Sequence, residues 1–105
     1  MPESTRVEPA GVPEETRAWL VGLIRRRLPL ARVIAFGSRV KGGAKPYADL
    51  DLAIDAGGTP IPAGIFFDLQ ELIADSDIPF KIDLSDYAEL APEFRAHIQS
   101  HAEEW

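Results

Sequence analysis

The sequence predicts an α+β domain, a small mixed β-sheet flanked by helices. Three observations point to it. Apolar residues recur at helical spacing in separate stretches, and short runs of strand-like patterning lie between those stretches. The resulting order of helix, strand, turn, strand, helix, strand, helix occupies most of a 105-residue chain, which leaves no room for a second core. There is no internal repeat, low-complexity tract or interdomain linker. Residues 1–12 hold two prolines, a glycine and several charges without apolar periodicity, so we expect a flexible N-terminal tail there and a folded domain over 13–105.

The first helix is announced by Pro13, Glu14 and Glu15, a proline near the first helical position followed by acids suited to the positive end of the dipole. Thr16, Leu20, Leu23, Ile24 and Leu28 then keep helical spacing. Arg25, Arg26 and Arg27 fall in its last turn, where cations offset the negative end, and Pro29 stops it. Arg32 to Phe36 reads as a short buried strand ending at Gly37. Asp49 to Ile54 alternates strictly, with Leu50, Leu52 and Ile54 on one face and Asp49 and Asp51 on the other. Asp55 opens a turn containing Gly57 and Gly58, and Ile61, Ile65, Phe66, Leu69, Leu72 and Ile73 form an amphipathic helix that ends near Asp75 to Asp77. Pro79 to Leu84 is a third alternating strand, and Pro92 opens a final helix running to about His101, with Phe94 and Ile98 on one face.

Composition narrows the function. An apolar fraction of 46% and a charged fraction of 27% are ordinary for a globular domain. No apolar run reaches the length of roughly 20 residues that spans a bilayer, and the N-terminus lacks the form of a signal peptide. We expect a cytoplasmic protein without a membrane partner. The absence of cysteine removes disulfides, thiolate catalysis and Cys-based zinc sites together. A net charge of −6 disfavours a long nucleic acid as direct partner, because phosphate neutralisation drives such binding. Locally the balance reverses: Arg39, Lys41 and Lys45 lie between Ser38 and Ala48 with no anion among them.

The chemistry gathers between Phe36 and Ile54. In a strand, residues two apart face one side about 6.5 to 7 Å from each other, so Asp49 and Asp51 can converge on one cation. Hard oxygen donors suit magnesium or manganese, and the mutual repulsion of two carboxylates asks for positive charge between them. Asp-x-Asp by itself also describes a solvated strand face. Gly37-Ser38, placed eleven residues before Asp49, sharpens the reading. A glycine ending a buried strand lets backbone approach a ligand, and N–H groups of a following helix favour phosphate, as does the serine hydroxyl. Arg39, Lys41 and Lys45 can supply countercharge, while Gly42-Gly43 and Lys45-Pro46 shape the loop. Asp83 alternates with apolar residues on the third strand and joins the two acids if its strand lies beside theirs. Asp55 and Asp86 suit turn and cap roles better. His97 and His101 have a spacing that can bind zinc, without a suitable third ligand, and fit a solvated or partner-facing side. Trp19 and Trp105 are candidates for an interface or for partial burial.

Phe36-Gly-Ser-Arg followed by Asp49-Leu-Asp-Leu-Ala-Ile resembles the signature of the minimal nucleotidyltransferases, small members of the DNA polymerase β superfamily. Asp83 in Lys81-Ile-Asp-Leu resembles the family's third acid, and the order of elements agrees from Pro13 to His101. The resemblance implies a polymerase β-like nucleotidyltransferase fold and transfer of AMP from ATP to a hydroxyl. Asp49, Asp51 and Asp83 would hold two Mg2+ ions, or Mn2+ in their place, and would be the catalytic residues. Gly37, Ser38, Arg39, Lys41 and Lys45 would bind the nucleotide. Stand-alone members of this size are commonly the antitoxin of a pair whose toxin is a HEPN-domain protein, which implies modification of a tyrosine of that partner and a homo- or hetero-oligomeric assembly. The alternatives are a catalytically weak module that neutralises its partner by contact and a stand-alone enzyme acting on RNA or a small substrate. The chain departs from the family pattern at Ala48, where serine is usual.

Overall fold

The structure, a computed structural model, describes residues 11–41 and 48–105. Helix α1 (Glu14–Arg27) leads into strand β1 (Arg32–Phe36) and a short helix α2 (Ser38–Lys41). Strand β2 (Leu50–Asp55), helix α3 (Ala63–Ala74) and strand β3 (Ile82–Asp86) follow, then a 3-10 turn (Tyr87–Glu89), helix α4 (Pro92–His101) and a two-residue strand β4 (Glu103–Glu104). The four strands form one sheet in the order β3-β2-β1-β4. β1 runs antiparallel to both β2 and β4, whereas β2 and β3 are parallel, joined by α3 as the crossover such a pair requires.

Alternation along the strands divides the core in two. Val33, Ala35, Leu50, Leu52 and Ile54 are buried on one face against Leu20 and Ile24 of α1 and Leu69 and Ile73 of α3. On the other face Ile34 and Ala53 pack with Tyr87 and with Ile98 of α4. The first face carries most of the large buried side chains, each worth about 1.5–3 kcal/mol of transfer free energy, and so holds the sheet rigid. The second face is covered by α4 and stays partly open, and the acids of β2 lie on it.

Helices α1 and α4 begin and end where the sequence indicates, while α3 starts at Ala63 and leaves Ile61 before it. Pro13 precedes α1, its acids and arginines occupy the first and last turns, and the chain leaves the helix at Leu28, whose N–H still donates to Ile24 O at 2.9 Å. Val12, expected in the flexible tail, is instead fully buried in the core, so the ordered part starts before Pro13; residues 1–10 of that tail lie outside the described residues. The third strand is shorter at its start than alternation suggests. Pro79 has no N–H to give a ladder, and pairing begins where Leu50 N–H donates to Lys81 O at 2.9 Å. β4 was not expected at all, since two glutamates carry little strand preference. It is held by register with Ile34 and Ala35, by Trp105 N–H donating to Val33 O at 2.7 Å, and by Arg32, whose guanidinium reaches Glu104 at 2.8 Å and Asp55 at 3.6 Å.

Candidate active site

β1 delivers the chain to Gly37, which turns with φ at 87°. That value lies in the left-handed region where a side chain is strained. Space is a second constraint: a Cβ on Gly37 would run into Oδ2 of Asp51 and would lie 3.2 Å from its Cγ. The glycine therefore does two things at once, reversing the chain and leaving room for a carboxylate against the turn.

Asp51 stands opposite Phe36 on the antiparallel neighbour and opposite Asp83 on the parallel one. Phe36, Asp51 and Asp83 thus form a row across three strands, on one face. Asp49, immediately before β2, is exposed on the same side by the two-residue period. The Asp51 carboxyl is pushed above the usual carboxylate range, first by burial and then by the charges of Asp83 and Asp49. Crowded acids without a cation between them have this signature, and a divalent ion reverses it. Lys81 Nζ lies 3.5 Å from Asp83 Oδ1, an exposed pair of the kind worth about 0–1 kcal/mol. Among the described residues no three His, Asp or Glu side chains close into a coordination set. The donors nonetheless fit a hard cation in kind and in shared face.

Lys45 lies outside the described residues, as do the side chains of Ser38 and Lys41 and the loop that contains Gly42-Gly43 and Lys45-Pro46. The backbone of α2 starts directly after Gly37, with Val40 N–H donating to Gly37 O at 3.2 Å. A helix of four residues offers local N–H groups but not the summed dipole of a long helix. Arg39, offered by the sequence as countercharge for a nucleotide, is packed into the fold. It is only 8% exposed, its Nε donates to Ala48 O at 2.8 Å, and its guanidinium sits 4.1 Å from the centre of the Phe80 ring. The reason is geometric: from α2 the side chain reaches both the residue before Asp49 and the segment before β3, and it closes the gap between them.

Asp55 and Asp86 take the turn roles expected of them. Asp55 accepts hydrogen bonds from Gly57 N–H and Gly58 N–H at 3.0 and 3.2 Å. Asp86 accepts from Ala88 N–H at 3.2 Å and Ile61 N–H at 2.7 Å. Trp19 is 44% exposed on α1, which packs on the face opposite the acids, and Trp105 is half-buried beside β1.

The structure adds a feature beside Gly37. α4 crosses the acid-bearing face so that Phe94 meets Phe36 edge-on, ring centres 5.9 Å apart. His97 stacks on Phe94 at 6.4 Å with an interplanar angle of 17°, and His101 lies 5.0 Å beyond. Phe36, Gly37, Phe94, His97, Ile98 and His101 enclose a cavity of about 150 Å³. The sequence signal was the spacing of Phe94, His97 and His101 after Pro92. Periodicity finds such a face but not the strand end that it crosses.

The polymerase β nucleotidyltransferase family model matches residues 21–104. A probable protein adenylyltransferase, MntA of Haemophilus influenzae, is 39% identical over 88 residues, covering 84% of this chain and 76% of that one. Two solved structures share the fold. A toxin–antitoxin structure with AMP-PNP matches with a TM-score of 0.70 at 20% identity, over 89% of this chain and 73% of that chain. A mutant of the toxin–antitoxin pair MntA–HpeT matches with a TM-score of 0.67 at 17% identity, over 84% and 70%.

Proposed function

The chain belongs to the polymerase β nucleotidyltransferase family, and on that premise we propose that it transfers AMP from ATP to a tyrosine hydroxyl of a HEPN-type toxin and so acts as its antitoxin in the cytoplasm. The observation that carries this reading is the register that sets Asp51 beside Asp83 and against the Gly37 turn. The similarity to a probable protein adenylyltransferase supports a protein as acceptor.

Asp49, Asp51 and Asp83 are the residues that would hold Mg2+ or Mn2+. Divalent ions held there would supply activation of the acceptor hydroxyl and neutralisation of the departing pyrophosphate. Gly37 and Ser38 hold the phosphates against the end of β1, with Lys41 and Lys45 as countercharge. Arg39 acts by position, tying α2 to Ala48 and so fixing where Asp49 begins. In the transfer, the tyrosine oxygen bonds to the α-phosphorus, the bond to the β-phosphate bridge breaks, pyrophosphate leaves and the phenolic proton passes to water. With alanine at position 48, a serine hydroxyl is missing and the backbone carbonyl, held by Arg39, is what remains there.

The test is to incubate the protein with Mg-ATP labelled at the α-phosphate and with its cognate partner. Label should move to a tyrosine of the partner, and Asp49→Asn or Asp51→Asn should reduce the rate by at least about a hundredfold. An unlabelled partner under those conditions refutes the reading. Neutralisation that survives in the Asp49→Asn, Asp51→Asn double variant assigns the antitoxin role to contact instead.

A further inference from the structure

The cavity between β1 and α4 has no role in the chemistry described so far, yet Gly37 lines both it and the candidate phosphate turn. At about 150 Å³ it is smaller than the pockets of about 300–1,000 Å³ that take whole small ligands. It suits one flat moiety of a larger molecule whose remainder lies outside. Its walls are rings and one apolar side chain: Phe36 and Phe94 edge to face, His97 nearly parallel to Phe94, His101 next in the series, and Ile98 at the back. Phe94 is 42% exposed and both histidines are exposed, so the ring faces are not consumed by the core.

An aromatic ladder that starts at a phosphate-binding turn fits a nucleotide. With phosphates at Gly37 and Ser38, the sugar has only to step across Gly37 for the base to meet the rings. We propose that this cavity receives the purine base of the nucleoside triphosphate, stacked on Phe94 and His97. This rests on the nucleotidyltransferase reading above and adds the part of the site that distinguishes a nucleotide from its bare phosphate chain. Stacking is tolerant of base identity because every base has a π-face; His101 Nδ1 is taken up by Ser100 Oγ and His97 O at 3.1 and 3.3 Å, which leaves His97 as the ring with nitrogens to offer a purine edge.

The experiment is calorimetric titration of the full chain with Mg-ATP and, separately, with Mg-tripolyphosphate, for the wild type and for Phe94→Ala, His97→Ala and His97→Phe. Both positions are exposed enough for the variants to fold, and circular dichroism checks that they do. The alanine variants should lose about tenfold or more in affinity for ATP while tripolyphosphate binds as before, and His97→Phe should recover much of the loss by restoring a ring. Unchanged ATP affinity in both alanine variants overturns the proposal. So does an equal loss for ATP and tripolyphosphate, which is general damage to the turn. Intact ATP affinity combined with slower labelling of the partner also overturns it and gives the rings to the acceptor. If wild-type protein binds neither ligand, the underlying reading fails, and the base site falls with it.

Discussion

Gly37 and Asp51 illustrate how one contact ties the conformation of a turn to the position of a carboxylate. The positive φ at Gly37 costs a side-chain-bearing residue about 1–2 kcal/mol, and the Cβ has no place to go but into Asp51. Gly37→Ala should lower the thermal midpoint and, by moving the Asp51 carboxylate, cut the transfer rate by about a hundredfold; a variant with normal turnover would separate the turn from the site. Asp51 carries the opposite sign. Its folded pKa is raised above the unfolded value, so the native state binds the proton more tightly. Its contribution to stability is therefore complete below the ordinary carboxylate range and declines as pH rises through the raised value. At neutral pH the charged form weakens the metal-free fold. Asp51→Asn should accordingly raise the thermal midpoint of metal-free protein at pH 7, and the gain should vanish at a pH below the carboxylate range, where wild-type Asp51 is protonated. A midpoint that falls at both pH values would mean that the carboxylate is instead held by partners that favour its charge.

At the scale of elements, Arg39 bridges pieces that the sheet alone does not join. Removing it in Arg39→Ala forfeits a partly buried hydrogen bond to Ala48 and the guanidinium–ring contact with Phe80, a loss of about 1–3 kcal/mol. Arg39→Lys should recover little of it, because a lysine does not present a planar group to the ring; denaturant titration of the two variants measures the difference. The sequence reading of Arg39 shows where one-dimensional patterns stop. Period-two alternation was enough to identify β2 and to assign Asp49 and Asp51 to the face opposite Leu50, Leu52 and Ile54, because alternation is local. Helical spacing was enough for α1 and α3, whose apolar stripes repeat over several turns. Burial of Arg39 depends on where three separate segments meet, and arginine in a glycine-containing loop looks like a solvated cation until they do. The position of α4 is of the same kind: its stripe was visible, but only the sheet topology brings His97 to Gly37. β4 is too short to show any period, and its pairing is supported by the Trp105 N–H and by the ion pair of Arg32 with Glu104.

For the molecule as a whole the deciding quantity is charge. On the proposed reading, a chain with net charge −6 receives a polyanion on the very face that holds its crowded acids. Of the three cations that the sequence sets between Ser38 and Ala48, Arg39 is engaged with Ala48 and Phe80. Two lysines remain in that stretch against Asp49, Asp51 and Asp83. At an effective dielectric near 20, like charges 4 Å apart repel by about 4 kcal/mol, and exposure and salt reduce but do not cancel this. Nucleotide binding should therefore require a divalent cation. Chelation of Mg2+ should weaken ATP binding by at least about tenfold, more at low ionic strength than at high. The Asp51→Asn variant sharpens the expectation because it removes one repelling charge and one ligand together. It should bind metal-free ATP better than the wild type does, and gain less when Mg2+ is added. Calorimetry on both proteins with and without chelator, at two salt concentrations, reads these affinities. Equal affinity of the wild type for ATP with and without the cation would mean that the acids do not face the phosphates, and would take the metal assignment of Asp49, Asp51 and Asp83 with it.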